Sequence, residues 1–97
     1  MAKDKERPVV VTTEFRGVFF GYLFGEPDGG VVTLKRARNC VFWAQSVRGF
    51  MGLAANGPNK ECKIGPAVPA ITLKKVTSIV EVSAEAAERW EAAPWAN

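Results

Sequence analysis

The segment LKRARNCVFWA, Leu34 to Ala44, brings cations, an amide, a thiol and two aromatic rings together within a single short run. Lys35, Arg36 and Arg38 supply positive charge, and the planar forks of the two arginines suit bidentate contact with phosphate. Asn39 offers both a donor and an acceptor, and Trp43 a flat face on which a base can stack. Binding of a small, phosphate-bearing ligand is the chemistry these residue types permit. The same pattern also suits solvated cations at a strand end, with Phe42 and Trp43 divided between the core and a subunit contact. A second polar group, Thr12, Thr13, Glu14 and Arg16, closes the first apolar stretch and adds another guanidinium.

Bond-making chemistry is thinly provided. The chain has no histidine, which removes the commonest general base and metal ligand together. Cys40 and Cys62 lie 22 positions apart, without zinc-finger pairing, and are too few for a disulfide framework. In a reducing compartment such residues usually serve as small buried hydrophobes. Cations near Cys40 can lower a thiol's pKa but cannot take its proton. The central acids are Glu14, Glu26, Asp28, Glu61 and Glu81; two of them belong to a turn, and Glu14 is the carboxylate to test first for acid-base work. Neither a Walker sequence nor GxGxxG occurs, and GPNKECKIGP has no helix N-terminus to aim at an anion. The expectation is a non-enzymatic protein with no catalytic residues, no cofactor and no metal.

At 97 residues and 47% apolar composition, the chain suits one small domain with a single core. No run approaches the roughly 20 apolar residues of a membrane-spanning helix, and MAKDKER lacks the apolar stretch of a secretory signal. A cytoplasmic protein without a membrane partner is therefore expected. The net charge of +3 is uneven: residues 1–7 carry +1, residues 8–82 carry +4, and the part from Ser83 onward carries −2. A basic central region attracts a phosphate-bearing partner by long-range steering, though it falls short of the dense stripe of a duplex binder.

Residues 1–7 read as a flexible charged leader, 8–82 as the β domain and 83–97 as a C-terminal helix and tail packed on it. VVVTT, Val9 to Thr13, is β-branched and predicts a first strand. Val18 to Phe24 predicts a second whose two faces are both apolar: Val18, Phe20, Tyr22 and Phe24 on one, Phe19 and Leu23 on the other. A sheet usually wets one face, so this strand asks for cover from a helix, a loop or a second copy of the chain. EPDGG is the strongest turn signal. VVTLK and CVFWA then predict third and fourth strands, with RARN as the connection between them. In such a meander RARN and the EFRG turn lie at one rim, where Arg16, Arg36, Arg38 and Asn39 would meet.

Ser46 to Pro58 reads as a short helix or a glycine-rich loop, with Val47, Phe50, Met51 and Ala54 at helical spacing. CKIGPAVP is loop-like around a short strand. AITLKKVTSIVEV predicts a strand pair or one bulged strand, its register changing near Lys74 and Lys75. Ser83 caps a final helix that Pro94 ends, with Glu85 in its first turn and Trp90 on the docking face. The fold class is mainly β with some helix (α+β): a small curled antiparallel barrel of SH3-like or Sm-like kind, with a C-terminal helix.

On TTEFRGVFFGYL, LKRARNCVFW, GLAANGP and IGPAVPAITLKKVTSIVEVS, the chain resembles a family of small phage and prophage proteins of unknown function, over Val9 to about Trp90. That resemblance implies a phage-type protein acting in the host cytoplasm, and small phage proteins are often oligomeric inhibitors or sponges of host signals. VVVTTEFRGVFFGYLFGEPDGGVVTLKRARN is also similar in cadence to the first motif of Sm-like RNA-binding proteins, although GFMGLAANGPNKECKIGPAVP replaces their short second motif. The function expected is a homo-oligomeric binding protein that sequesters a small anionic, nucleotide-type signal. Its ligand residues would be Arg16, Lys35, Arg36, Arg38, Asn39 and Trp43. The alternatives are a nucleic-acid-binding barrel and a virion or protein-interaction module.

Overall fold

The computed structural model describes residues 7–14, 17–43 and 45–93. Six strands and two α-helices follow one another as β1 (Arg7–Thr13), β2 (Gly17–Asp28), β3 (Val31–Phe42), α1 (Gly49–Asn56), β4 (Lys63–Ile64), β5 (Val68–Leu73), β6 (Val76–Glu81) and α2 (Ala84–Ala92). A 3₁₀ turn at Gln45–Val47 precedes α1. The strands form an antiparallel sheet in the order β4-β3-β2-β1-β6, with β5 also lying along β3. β5 pairs with the first half of β3 and β4 with its last residues. The sheet is open: among the described residues no pairing joins β5 to β6.

EPDGG makes the turn its composition predicts. Gly29 and Gly30 have φ of 59° and 81°, Asp28 faces Val31 across the turn, and the left-handed pair matches the twist of the hairpin. The expected third and fourth strands are one. β3 runs unbroken through RARN, because Tyr22 pairs with Lys35 and Phe20 with Arg38, so that Arg36 and Ala37 together oppose Gly21. This bulge, with Arg36 at φ 51°, absorbs the polar run without ending the strand. AITLKKVTSIVEV does break at Lys74 and Lys75, with Lys75 at φ 57°, but its halves pair with β3 and β1 rather than with each other. Pro69 is tolerated because β5 is an edge strand.

As far as Leu23 both apolar faces of β2 are covered by this chain itself, while Phe24 stays at the surface. On one face Val18 and Phe20 pack with Val10, Cys40, Leu53, Ile64, Ala86 and Trp90, beneath the two helices. On the other, Leu23 and Phe19 meet Val9, Val11, Leu34, Leu73 and Ile79, drawn from β1, β3, β5 and β6 as the sheet curls around them.

Helix α1 buries Leu53 and Ala54, with Phe50 half-buried, while Met51 points outward with 62% of its surface exposed. The expected face was thus rotated, because α1 starts at Gly49 and docks through Leu53. Gly57 ends it at φ 84°, and any Cβ there would lie 2.9 Å from Arg89 Cβ on α2. Ser83 caps α2: its hydroxyl accepts from Ala86 N at 3.1 Å and donates to the Ala55 carbonyl at 3.0 Å. Trp90 is fully buried, stacked on Phe20 with ring centroids 5.1 Å apart and planes 5° from parallel. Its Nε1 donates to the Leu53 carbonyl at 3.1 Å.

Trp90→Ala is expected to cost roughly 3–5 kcal/mol in chemical denaturation, as for other buried aromatics. Trp90→Phe keeps a ring against Phe20, and the Leu53 carbonyl retains the Gly57 N–H, so it should cost less than half as much.

Candidate functional site

Arg38, expected at a ligand-binding rim, lies inside the molecule. It is 6% exposed, and its guanidinium is held by backbone carbonyls: Nε donates to Gly65 O at 2.7 Å, and Nη1 to Trp90 O at 2.8 Å and Glu91 O at 3.3 Å. The last two acceptors belong to the final turn of α2, where helix carbonyls lack intrahelical partners and the dipole favours a cation. Burial pushes the Arg38 pKa down, yet an arginine stays charged. Arg38 therefore clamps a helix end.

The neighbouring residues serve the same purpose. Gly65 donates its N–H to Asn39 O at 2.9 Å, while its carbonyl takes the Arg38 Nε–H. The Asn39 side-chain oxygen lies so close over Gly65 Cα that a Cβ there would collide with it. Asn56 O accepts from Arg89 Nη1 at 2.7 Å. RN, ANG and IG thus join β3, α1 and the β4 turn to α2.

Beyond the end of α2 the same sheet face is open, and here cations cover aromatic rings. Lys35 Nζ sits 4.1 Å from the centroid of the Phe24 ring, and Arg36 Cζ 4.2 Å from that of Tyr22. Phe24 is 47% exposed and Arg36 is exposed. The Tyr22 hydroxyl donates to the Glu91 carboxylate. Burial, then the hydrogen bond and the charge of Glu91, push the Tyr22 pKa up to about 12, with Arg36 opposing. Tyr22, Phe24, Lys35 and Arg36 form a basic and aromatic ledge with one acidic neighbour.

Trp43 belongs to another place. It packs half-buried against the helix-side core and, with Thr12, Gly17, Val18 and Phe50, lines a largely apolar cleft of about 390 Å³. The Thr12 hydroxyl is engaged with Thr77 and Ser78, 2.7 and 2.6 Å away. The six residues marked by the sequence are therefore not one site: Lys35 and Arg36 share the ledge, Arg38 lies under α2, Asn39 covers Gly65 and Trp43 lines the cleft. Arg16 lies outside the described residues. Glu14 is exposed and 4.0 Å from Lys75 in a surface ion pair.

Sequence reasoning missed Tyr22, Phe24 and Glu91. Alternation along β2 sets the first two on an apolar face that asks for cover, and their partners cannot be counted from the turn. Asp28 faces Val31, which by simple counting would put Tyr22 opposite Ala37, whereas an irregularity between Phe24 and Asp28 brings it opposite Lys35.

Fold and site together define a small, mostly β protein with two helices laid on one face of an open antiparallel sheet and a cationic ledge beside them. Residues 6–90 match the model of a domain of unknown function, DUF6948, and the chain belongs to that family. No curated protein and no solved structure matches the chain. Among the described residues no helix is long and apolar enough to cross a membrane.

Arg38→Ala is expected to destabilise the fold by at least about 2–3 kcal/mol, because buried carbonyls lose their donor. Arg38→Lys should recover only part of this, since one ammonium cannot reproduce the fork. Tyr22 is the only tyrosine, so ultraviolet titration reads it alone. Its midpoint should fall near 12 rather than the ordinary 10, and Glu91→Gln should lower it. A raised folded pKa gives stability that is present below pH 10 and lost as pH rises through about 12, a loss Tyr22→Phe should not show.

Proposed function

We propose that the protein is a non-enzymatic binding protein that captures a small, phosphate-bearing ligand of nucleotide type on the ledge formed by Tyr22, Phe24, Lys35 and Arg36, and so sequesters a signal. The observation that carries this reading is Arg36. It holds a left-handed backbone in the middle of a strand, at φ 51°, a conformation costing a non-glycine residue about 1–2 kcal/mol. The bulge places its guanidinium over Tyr22 at the surface, whereas Arg38, two residues on, supports the fold. Arg48 and Lys75 share this backbone region, but at Arg36 it coincides with a guanidinium set over an aromatic ring. A guanidinium stacked on Tyr22 suits phosphate, and the exposed Phe24 ring suits a base.

The wider reading is of a phage-type, self-associating protein with an SH3-like or Sm-like barrel, working in the cytoplasm. The long strands support the barrel through their order β6-β1-β2-β3-β5, with Lys74 and Lys75 alone linking β5 to β6. Self-association is supported by the exposure of Val41, Phe42 and Met51, at 58%, 52% and 62%.

Single-stranded nucleic acid is the second reading. Tyr22 and Phe24 are successive residues on one face of β2, each ring under a cation, a repeat that suits neighbouring bases. Affinity for a strand would fall steeply with salt as counterions are released, and affinity for a mononucleotide would fall gently.

Calorimetry with cyclic, linear and ADP-ribose-type nucleotides tests the proposal. Arg36→Gly should abolish the heat of binding while leaving stability unchanged or raised by up to about 1 kcal/mol, because glycine relieves the left-handed strain. Absence of heat with every nucleotide, or binding indifferent to Arg36→Gly, would overturn it.

A further inference from the structure

We propose that Cys40 and Cys62 form a redox-convertible pair, which exchange with a low-molecular-weight disulfide turns into an intramolecular bond tying β3 to the turn before β4. Both thiols are free. In the β3–β4 ladder Cys40 faces Ile64, and Cys62 lies two residues before Ile64, in the bend that leads into β4. Cys40 and Ile64 are buried in the helix-side core, and Cys62 packs against that same cluster. A disulfide accepts Cα atoms about 4.4–6.8 Å apart. Closing the bond asks for an adjustment of the backbone at this end of the ladder. It falls where the ladder already slips, between Cys40 and Phe42, and where β4 is two residues long.

Neither thiol is strongly held. Cys40 Sγ donates to Phe42 O and Cys62 Sγ to Asn59 Oδ1, both at 3.5 Å, and thiols are weak donors. Their accessibility differs in a way that orders the chemistry. Cys62 is half-buried and reachable, whereas Cys40 is 8% exposed. Burial, then the charge of Cys62, hold the Cys40 thiol up to about 12, with the Phe42 contact acting the other way.

The Cys62 thiolate attacks one sulfur of the small disulfide, forming a mixed disulfide and releasing one small thiolate. Cys40 sulfur then attacks Cys62 sulfur, its proton passing to the departing small thiolate. Two protein thiols and one small disulfide thus become one protein disulfide and two small thiols. The bond would close the segment that carries Trp43 and Phe50, two walls of the cleft.

The test treats the folded full chain with oxidised glutathione, quenches by alkylation and maps the products by mass spectrometry. The expected product is a monomer lighter by two hydrogens, with the Cys40 and Cys62 peptides joined. Cys40→Ser should stop at glutathione on Cys62, and Cys62→Ser should leave Cys40 unmodified. Should either variant fail to fold, alkylation of the reduced wild-type chain decides the order: Cys62 should be labelled at least roughly tenfold faster than Cys40. A glutathione adduct persisting on the wild-type chain, a bond between two chains, an unmodified product, or equal labelling of the two thiols would overturn the proposal.

Discussion

Arg38 carries a full positive charge into a place with almost no water and meets the carbonyls of Gly65, Trp90 and Glu91 there. A buried charge is tolerated only when its donors are satisfied, and these acceptors come from segments far apart in sequence. The bond network therefore forms only when β3, the turn after β4 and the end of α2 are all in place. The Trp90 ring on Phe20 supplies apolar burial at the same junction, and its N–H reaches α1 through Leu53 O. Cation and indole together fix where both helices rest on the sheet.

That constraint sorts the cations of the central strand by role. The bulge at Arg36 and Ala37 keeps Arg38 on the helix side of the sheet while leaving Lys35 and Arg36 over aromatic rings in the open. Without the extra residue in β3, the alternation of side chains would send Arg38 to the opposite face, among Val9, Val11 and Leu34. One local irregularity thus serves the core and the ledge at once. The end of α2 links the two, since Glu91 gives its backbone carbonyl to Arg38 and its carboxylate to the Tyr22 hydroxyl.

Local patterns were legible in the sequence where local physics decides them. The β-branched run at Val9 to Thr13, the diglycine hairpin and the Ser83 cap each appear because a few adjacent residues determine the dihedrals or bonds concerned. The two-faced apolar character of β2 is legible too, but its meaning is not: a curled sheet and two helices within one chain cover both faces as far as Leu23 and leave Phe24 at the surface. RARN was misread as a connection because polarity alone does not separate a loop from a bulged strand. Arg38 was misread as a ligand contact because its partners lie beyond Ile64 and in α2, and nothing near it in sequence announces them. RNCVFW, GLAANGP and IGPAVP contain residues that dock α2, so these three separate stretches meet at one structural joint.

The charged clamp at Arg38 holds only in the complete fold, and hydrogen exchange at side-chain nitrogens reads it directly. Nuclear magnetic resonance on the folded chain can follow the Arg38 Nε–H and the Trp90 Nε1–H separately from the backbone. Both should exchange slowly and together, at the rate of the most protected amides of β1 and β2, because neither can open without undocking α2. An Arg38 Nε–H exchanging as fast as that of a solvent-exposed arginine, while those amides stay protected, would contradict it.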